Sequence, residues 1–220
     1  MRRVRVKICG ITREEDLDAA VAAGADAVGF LVGVTSSPRN LTLERAKMLL
    51  KKVPVFVDSV VVTAPESIKG LVEVCEELKP SAIQLHGKKD FGASKVRERL
   101  RDTYLIKTVY VTKDALKETA VEELKAFDAV LLDSFIKGQY GGTGRVHDWN
   151  LSKQIKEAVA PLPLILAGGL KPENVKEAVQ TVQPYAVDVA SGVELRPGVK
   201  DHEKVQAFVE NAKEIKLQDK

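Results

Sequence analysis

Apolar and polar residues alternate strictly at the start of the chain: Val4, Val6 and Ile8 share one face, and Arg5, Lys7 and Cys9 the other. A period of two is that of a β-strand and too short for a helix face. Gly10 follows, and then Thr12-Arg13-Glu14-Glu15, where a hydroxyl and a carboxylate three residues on have capping-box spacing and predict a helix start. The same succession, a short apolar run and then an amphipathic stretch, is found eight times. The predicted strands are Val4–Cys9, Ala27–Val32, Val55–Val61, Ala82–His86, Leu105–Val111, Ala129–Asp133, Leu164–Ala167 and Ala186–Ala190. The predicted helices are Arg13–Ala23, Leu43–Lys51, Pro65–Leu78, Gly92–Leu100, Lys113–Leu124, Ser152–Ala160, Pro172–Val182 and Asp201–Ile215. Such alternation predicts a parallel sheet covered by helices.

Eight β-then-α units fit a closed (β/α)8 barrel of the TIM type or an open doubly wound sheet. The barrel is preferred, because polar residues stand at the ends of many different strands and only a barrel collects those ends into one mouth. At 220 residues the chain matches one such domain, so residues 1–220 are expected to form a single barrel. The 34 Lys plus Arg nearly balance 31 Asp plus Glu, interspersed on helix faces. That argues against a nucleic-acid arm or a membrane patch. The N-terminus lacks the pattern of a secretory leader and no apolar run approaches the ~20 residues of a bilayer span, so a cytoplasmic, reduced protein is expected. Of the two cysteines, Cys75 falls on the helix-period stripe Leu71, Cys75, Leu78 and reads as core.

Candidate chemistry gathers at the strand ends. Cys9 is either a small buried hydrophobe or a thiol facing the mouth. Asp133 closes the sixth strand before the long aperiodic stretch from Ser134 to Trp149, either poised over the mouth or capping that loop. Asp188, earlier in the eighth strand, reads as a plug paired with Lys7 or Arg5. His86 ends the fourth strand on the same face as Gln84 and is either a ligand group or structural. Arg39, on the loop after the second strand, suits a carboxylate or is a surface residue. Glycines after strands six to eight, Gly141-Gly142-Thr143-Gly144, Gly168-Gly169 and Ser191-Gly192, lie where barrels hold phosphate. Walker spacing is missing. His147 and His202 have no metal-like partners, and no metal site is expected.

Taken in order, Lys7-Ile8-Cys9-Gly10-Ile11-Thr12, Ser37-Pro38-Arg39, Gln84-Leu85-His86-Gly87, Leu132-Asp133, Gly141-Gly142-Thr143-Gly144, Asp148-Trp149, Ala167-Gly168-Gly169-Leu170 and Asp188-Val189-Ala190-Ser191-Gly192-Val193-Glu194 resemble the motifs of the phosphoribosylanthranilate isomerase family across essentially the whole chain. Departures are His147 where the family usually has Phe, Ala190 where Ser is commoner, and Asp58-Ser59 where it reads Asn. The resemblance implies a cofactor-free Amadori rearrangement of phosphoribosylanthranilate in tryptophan biosynthesis. It implies Cys9 as thiolate base, Asp133 as general acid, Arg39 on the anthranilate carboxylate and His86 within reach of the ligand. Gly142, Thr143, Gly144, Gly168, Gly169, Ser191 and Gly192 would hold the phosphate. Lys7 and Arg39 are the groups expected to favour the thiolate. Two other readings stand beside it: an aldolase-type barrel using Lys107 or Lys7 as a Schiff base, and a non-catalytic phosphosugar-binding domain. A homodimer is left open.

Overall fold

Ile8 lies opposite Val28 on one side and Val189 on the other, both in parallel register, so the first long strand has a neighbour on each edge and the sheet closes on itself. A computed structural model of the chain describes residues 2–87, 91–112, 121–134 and 147–217. The closed sheet consists of β1 Arg5–Cys9, β2 Ala27–Val32, β3 Asp58–Thr63, β4 Ala82–Leu85, β5 Tyr104–Val111, β6 Ala129–Ser134, β7 Leu164–Leu166 and β8 Ala186–Val189. Each pairs in parallel with the next, and β8 returns to β1. The helices are α1 Glu14–Ala22, α2 Leu43–Leu50, α3 Ile68–Leu78, α4 Ala93–Arg99, α5 Val121–Leu124, α6 Trp149–Val159, α7 Val175–Val182 and α8 His202–Glu214. The closed (β/α)8 barrel read from the sequence is the fold observed. No helix among the described residues is long and apolar enough to cross a membrane.

Strand alternation divides the interior into two layers. Val4, Val6, Ile8, Val28 and Phe30 face outward and pack beneath helix stripes such as Leu71-Cys75-Leu78 and Val205-Phe208-Ala212. Facing inward are Val60, Ala82, Ile106, Ala129, Leu131, Ile165 and Ala186, largely small or β-branched side chains that fill a narrow cylinder. Nearer the C-terminal ends of the strands the filling becomes polar. The Lys7 Nζ donates to Gln84 Oε1 at 2.9 Å and to Asp188 Oδ1 at 3.0 Å, and Gln84 Nε2 donates to Thr108 Oγ1 at 3.3 Å. Asp188 is thus a plug paired with Lys7, whereas Arg5 stacks over the Tyr185 ring. Burial, the largest influence on Lys7, opposes its charge, but Asp188 and Cys9 outweigh it and hold the ammonium above its ordinary range.

Several boundaries differ from those expected. β3 begins at Asp58, because the Pro54 carbonyl accepts from the Val57 N–H in a turn that carries Val55 and Phe56 out into solvent. The Thr12 hydroxyl does not cap α1; it donates to the Gly198 carbonyl at 2.5 Å, and the capping residue is Arg13, without a side-chain bond. α3 opens after Ser67, whose hydroxyl accepts from the Gly70 N–H, and not at Pro65. α7 opens after Asn174, three residues later than expected at Pro172. Of the fifth predicted helix, residues 113–120 lie outside the described residues. Four short features have no counterpart in the reading from sequence: Asn40–Leu41 beside β2, an antiparallel pair of Arg2–Arg3 with Lys216–Leu217, a 3₁₀ turn Ser191–Val193, and a hairpin of Glu194–Arg196 with Val199–Lys200.

Because Lys7 and Asp188 are both buried, removing one charge leaves the other uncompensated. Asp188→Asn is expected to lower stability by about 3–5 kcal/mol in urea unfolding at pH 7; a loss below about 1 kcal/mol, the worth of an exposed pair, would show that water reaches Lys7.

Candidate active site

Cys9 is the last residue of β1 and faces inward by the same alternation that buries Ile8 on the other side. The strand pairing sets Gly29 opposite Cys9, and a Cβ at Gly29 would fall 2.7 Å from the sulfur, so only glycine leaves room for the thiol there. Burial pushes the Cys9 thiol up from its ordinary value; Lys7 and Lys200 pull it down, and Asp188 adds to the rise. The expected helper Lys7 is in place. Even so, the ligand-free site favours the thiol over the thiolate, and the second cation beside it is Lys200, which the sequence did not single out.

Asp133 stands on β6, 8 % exposed, with its Oδ1 accepting the Ser134 N–H at 2.8 Å. Burial raises its carboxyl to about 6; the Ser134 N–H works the other way, Asp188 adds to the rise, and Lys7 lowers it. Gly168 permits this placement: at φ 79° its missing Cβ would collide with the Ser134 hydroxyl and lie 3.1 Å from Asp133 Oδ1. Ser134 Oγ is bonded to His147 Nδ1 at 3.1 Å, and His147 Nε2 to Ser152 Oγ at 2.7 Å. Burial brings His147 down to about 4, against the pull of Asp148, so a neutral imidazole links the end of β6 to α6. The departure from Phe at this position is a polar tie between two hydroxyls.

Both groups line one cavity at the C-terminal mouth, the place where barrels of this type carry their chemistry. Every described residue singled out from the sequence as a site residue lines it: Cys9, Asp133, Arg39, His86, Gly168, Gly169, Ser191 and Gly192. Gly142, Thr143 and Gly144 lie outside the described residues. His86 Nε2 is 3.2 Å from the Tyr110 hydroxyl, the two rings meeting edge to face. Asn174 Nδ2 donates to the Gly169 carbonyl, pinning the turn after β7 to the start of α7. Arg39 is 8 % exposed and already engaged: its Nε and Nη2 donate to the two oxygens of Glu194 at 2.8 and 2.6 Å. It is therefore no mobile surface residue. Lys107 does not reach the mouth. It points outward from β5, its ammonium 5.8 Å from the Phe127 ring centre, which removes it as a Schiff-base lysine, while Lys7 is held as a paired cation.

A family model of N-(5'-phosphoribosyl)anthranilate isomerase matches residues 6–211. The chain belongs to this family. It is similar to proteins of that name from Methanosarcina acetivorans, 45% identical over 96% of this chain and 94% of the relative, and from Haloferax volcanii, 46% identical over 95% and 93%. Among solved structures it is similar to the phosphoribosyl anthranilate isomerase of Thermotoga maritima, 39% identical with a TM-score of 0.85 over 96% of this chain and 100% of that one. A second, 38% identical with a TM-score of 0.82 and the same coverage, holds reduced 1-(o-carboxyphenylamino)-1-deoxyribulose 5-phosphate. The fold class and the isomerase assignment thus stand on likeness along nearly the whole chain.

In this isomerase fold the mouth carries a carboxyl group that resists ionisation, which has a cost in stability. Its folded value of about 6 exceeds the unfolded 3.8, so the favourable contribution of the neutral group is complete below 3.8 and is lost as pH rises through 6. Asp133→Asn is expected to unfold at a higher denaturant concentration than the parent at pH 8, by about 1–3 kcal/mol, with the gap closing towards pH 4. An advantage that does not vary with pH would contradict the raised carboxyl.

Proposed function

We propose that this chain converts N-(5'-phosphoribosyl)anthranilate to 1-(2-carboxyphenylamino)-1-deoxyribulose 5-phosphate, an Amadori rearrangement in tryptophan biosynthesis, with Asp133 as general acid and Cys9 as general base. The observation that carries the reading is that one cavity holds a carboxyl raised to about 6 and a buried thiol flanked by two cations. Asp133 gives its proton to the furanose ring oxygen as the C1–O bond breaks and the nitrogen lone pair forms the iminium. The Cys9 thiolate then takes the C2 proton; the C2–H electrons become the C1–C2 double bond and the iminium electrons return to nitrogen. The resulting enolamine gains a proton at C1 and loses one from its C2 hydroxyl, giving the ketone. Asp133 ends one proton short and Cys9 one proton rich, so the pair as a whole keeps a single proton.

Each of the other site residues has a part in this reading. Arg39, its inner edge fixed by Glu194, presents the remaining Nη1 and Nη2 hydrogens to the anthranilate carboxylate. The backbone of Gly168-Gly169 and Ser191-Gly192 receives the phosphate, with Gly142, Thr143 and Gly144 from the loop after β6. His86, braced by Tyr110, closes the side towards β4. A cytoplasmic location goes with this biosynthetic role.

The reading is tested by loss of anthranilate-type fluorescence when purified protein meets the substrate. Cys9→Ala and Asp133→Asn are each expected to lower kcat by about 10²-fold or more with little change in KM; near-parental turnover in either removes that residue from its role. Because the acid titrates near 6 and the base above the ordinary 9.0, the one-proton pair prevails between them. The kcat/KM profile is therefore expected to fall below about pH 6, where both groups hold protons, and again above the thiol's raised value, where both have lost them. In Asp133→Asn the residual activity is expected to rise with pH up to the thiol's raised value with no break near 6; a surviving break near 6 would assign it to another group.

The reading also extends to a homodimer. A relative from Thermotoga maritima is described as dimeric. Here Val55 is 81 % exposed and Phe56 fully so, the latter with φ 72° in the left-handed region that bulky residues avoid. Light scattering is expected to give twice the 24.0 kDa chain mass, and Phe56→Asp to give the monomer; a parent already monomeric at micromolar concentration rejects it.

A further inference from the structure

Lys200 is a fully buried lysine whose contacts reach further than the charge it brings near Cys9. It ends the Glu194–Lys200 hairpin, and its ammonium spends all three hydrogens on fixed acceptors: the Cys9 carbonyl at 2.6 Å, the Ala190 carbonyl at 3.0 Å and Glu194 Oε1 at 3.0 Å. One side chain thereby ties the end of β1, the end of β8 and the hairpin to a single point. Its own backbone N–H donates to the buried Asp16 on α1, whose other oxygen meets His202. Glu194 in turn holds Arg39 with both oxygens.

A count of charges around Cys9 gives this cluster its meaning. Lys7 on the same strand is matched by Asp188 from β8, and Asp188 itself opposes a thiolate. Asp133 faces the same cavity from β6. On the hairpin side, Arg39 and Lys200 share the single carboxylate of Glu194; burial, the largest influence on Lys200, holds its ammonium below the ordinary lysine range, while Glu194 and Cys9 work the other way. Lys7 and Lys200 are thus the two cations that favour a negative sulfur, Lys7 the more strongly, in a site whose burial works against it.

Resting on the isomerase reading of Cys9, we propose that Lys200 is a positioning residue for that thiol: its ammonium anchors the Cys9 carbonyl between the end of β8 and Glu194, and supplies, together with Lys7, the positive charge against which the thiolate forms.

Lys200→Met keeps the stem and removes the charge. It is expected to lower kcat about tenfold or more, a fraction of the 10²–10⁴ that base catalysis supplies, with KM changed by less than about threefold. Alkylation of Cys9 by iodoacetamide, followed by peptide mass spectrometry against pH in the ligand-free protein, is expected to show its midpoint moved upward. Glu194→Gln leaves Lys200 uncompensated and is expected to move that midpoint downward. An unmoved midpoint in a folded Lys200→Met protein, or in Glu194→Gln should the first variant not fold, overturns the proposal, as does a kcat loss that follows only the fraction of folded protein. The alkylation needs no substrate. A parent that alkylates as expected but fails to rearrange N-(5'-phosphoribosyl)anthranilate would defeat the isomerase reading and leave the hold of Lys200 on Cys9 standing.

Discussion

A closed barrel has an axis that must be filled, and in this protein part of the filling is an ion pair. Lys7 and Asp188 meet inside eight strands with Gln84 and Thr108 completing the layer, so the floor of the mouth is charged and buried. An ion pair in such a place repays its desolvation only when its geometry is fixed from all sides. The parallel register does that by setting Lys7 opposite Asp188 across the β1–β8 seam. Everything above the floor answers to it. Cys9 sits two residues beyond Lys7 on the same strand face, and Asp133 feels both charges across the cavity.

From that floor follows an unusual economy of protons. A neutral acid and an anionic base are needed together, yet the acid titrates lower than the base, so the working ionisation is the minor arrangement of a pair that holds one proton. Proximity of the cations to the sulfur decides how minor it is. Substrate binding, which expels water and brings further charge, acts on the same balance. Gly29 opposite the sulfur and Gly168 against the carboxyl leave no room for a side chain at either place, so both groups are seated against backbone.

The barrel and most of its mouth were legible in the sequence because both rest on local order. Alternation over Val4–Cys9 separates an outward from an inward face, and each strand end carries its polar residue to the same side of the cylinder. Boundaries failed where a side chain found a distant partner in place of a local one. Thr12 bonds to Gly198 and does not cap its own helix; Val55 and Phe56 look like strand but project into solvent from a turn. Arg39 and Glu194, 155 residues apart, and Lys200 and Cys9, 191 apart, leave no periodic trace. His147 was noticed for its missing metal partners, whereas its role is to join Ser134 to Ser152.

The central claim is that burial above a charged floor keeps the Asp133 carboxyl protonated far beyond its ordinary range. Difference infrared spectroscopy of the ligand-free protein against Asp133→Asn, following the carbonyl stretch of the un-ionised acid across pH, measures this most directly. The account predicts that the Asp133 band disappears with a midpoint of about 6; disappearance near 3.8, the value of an unperturbed aspartate, would contradict it.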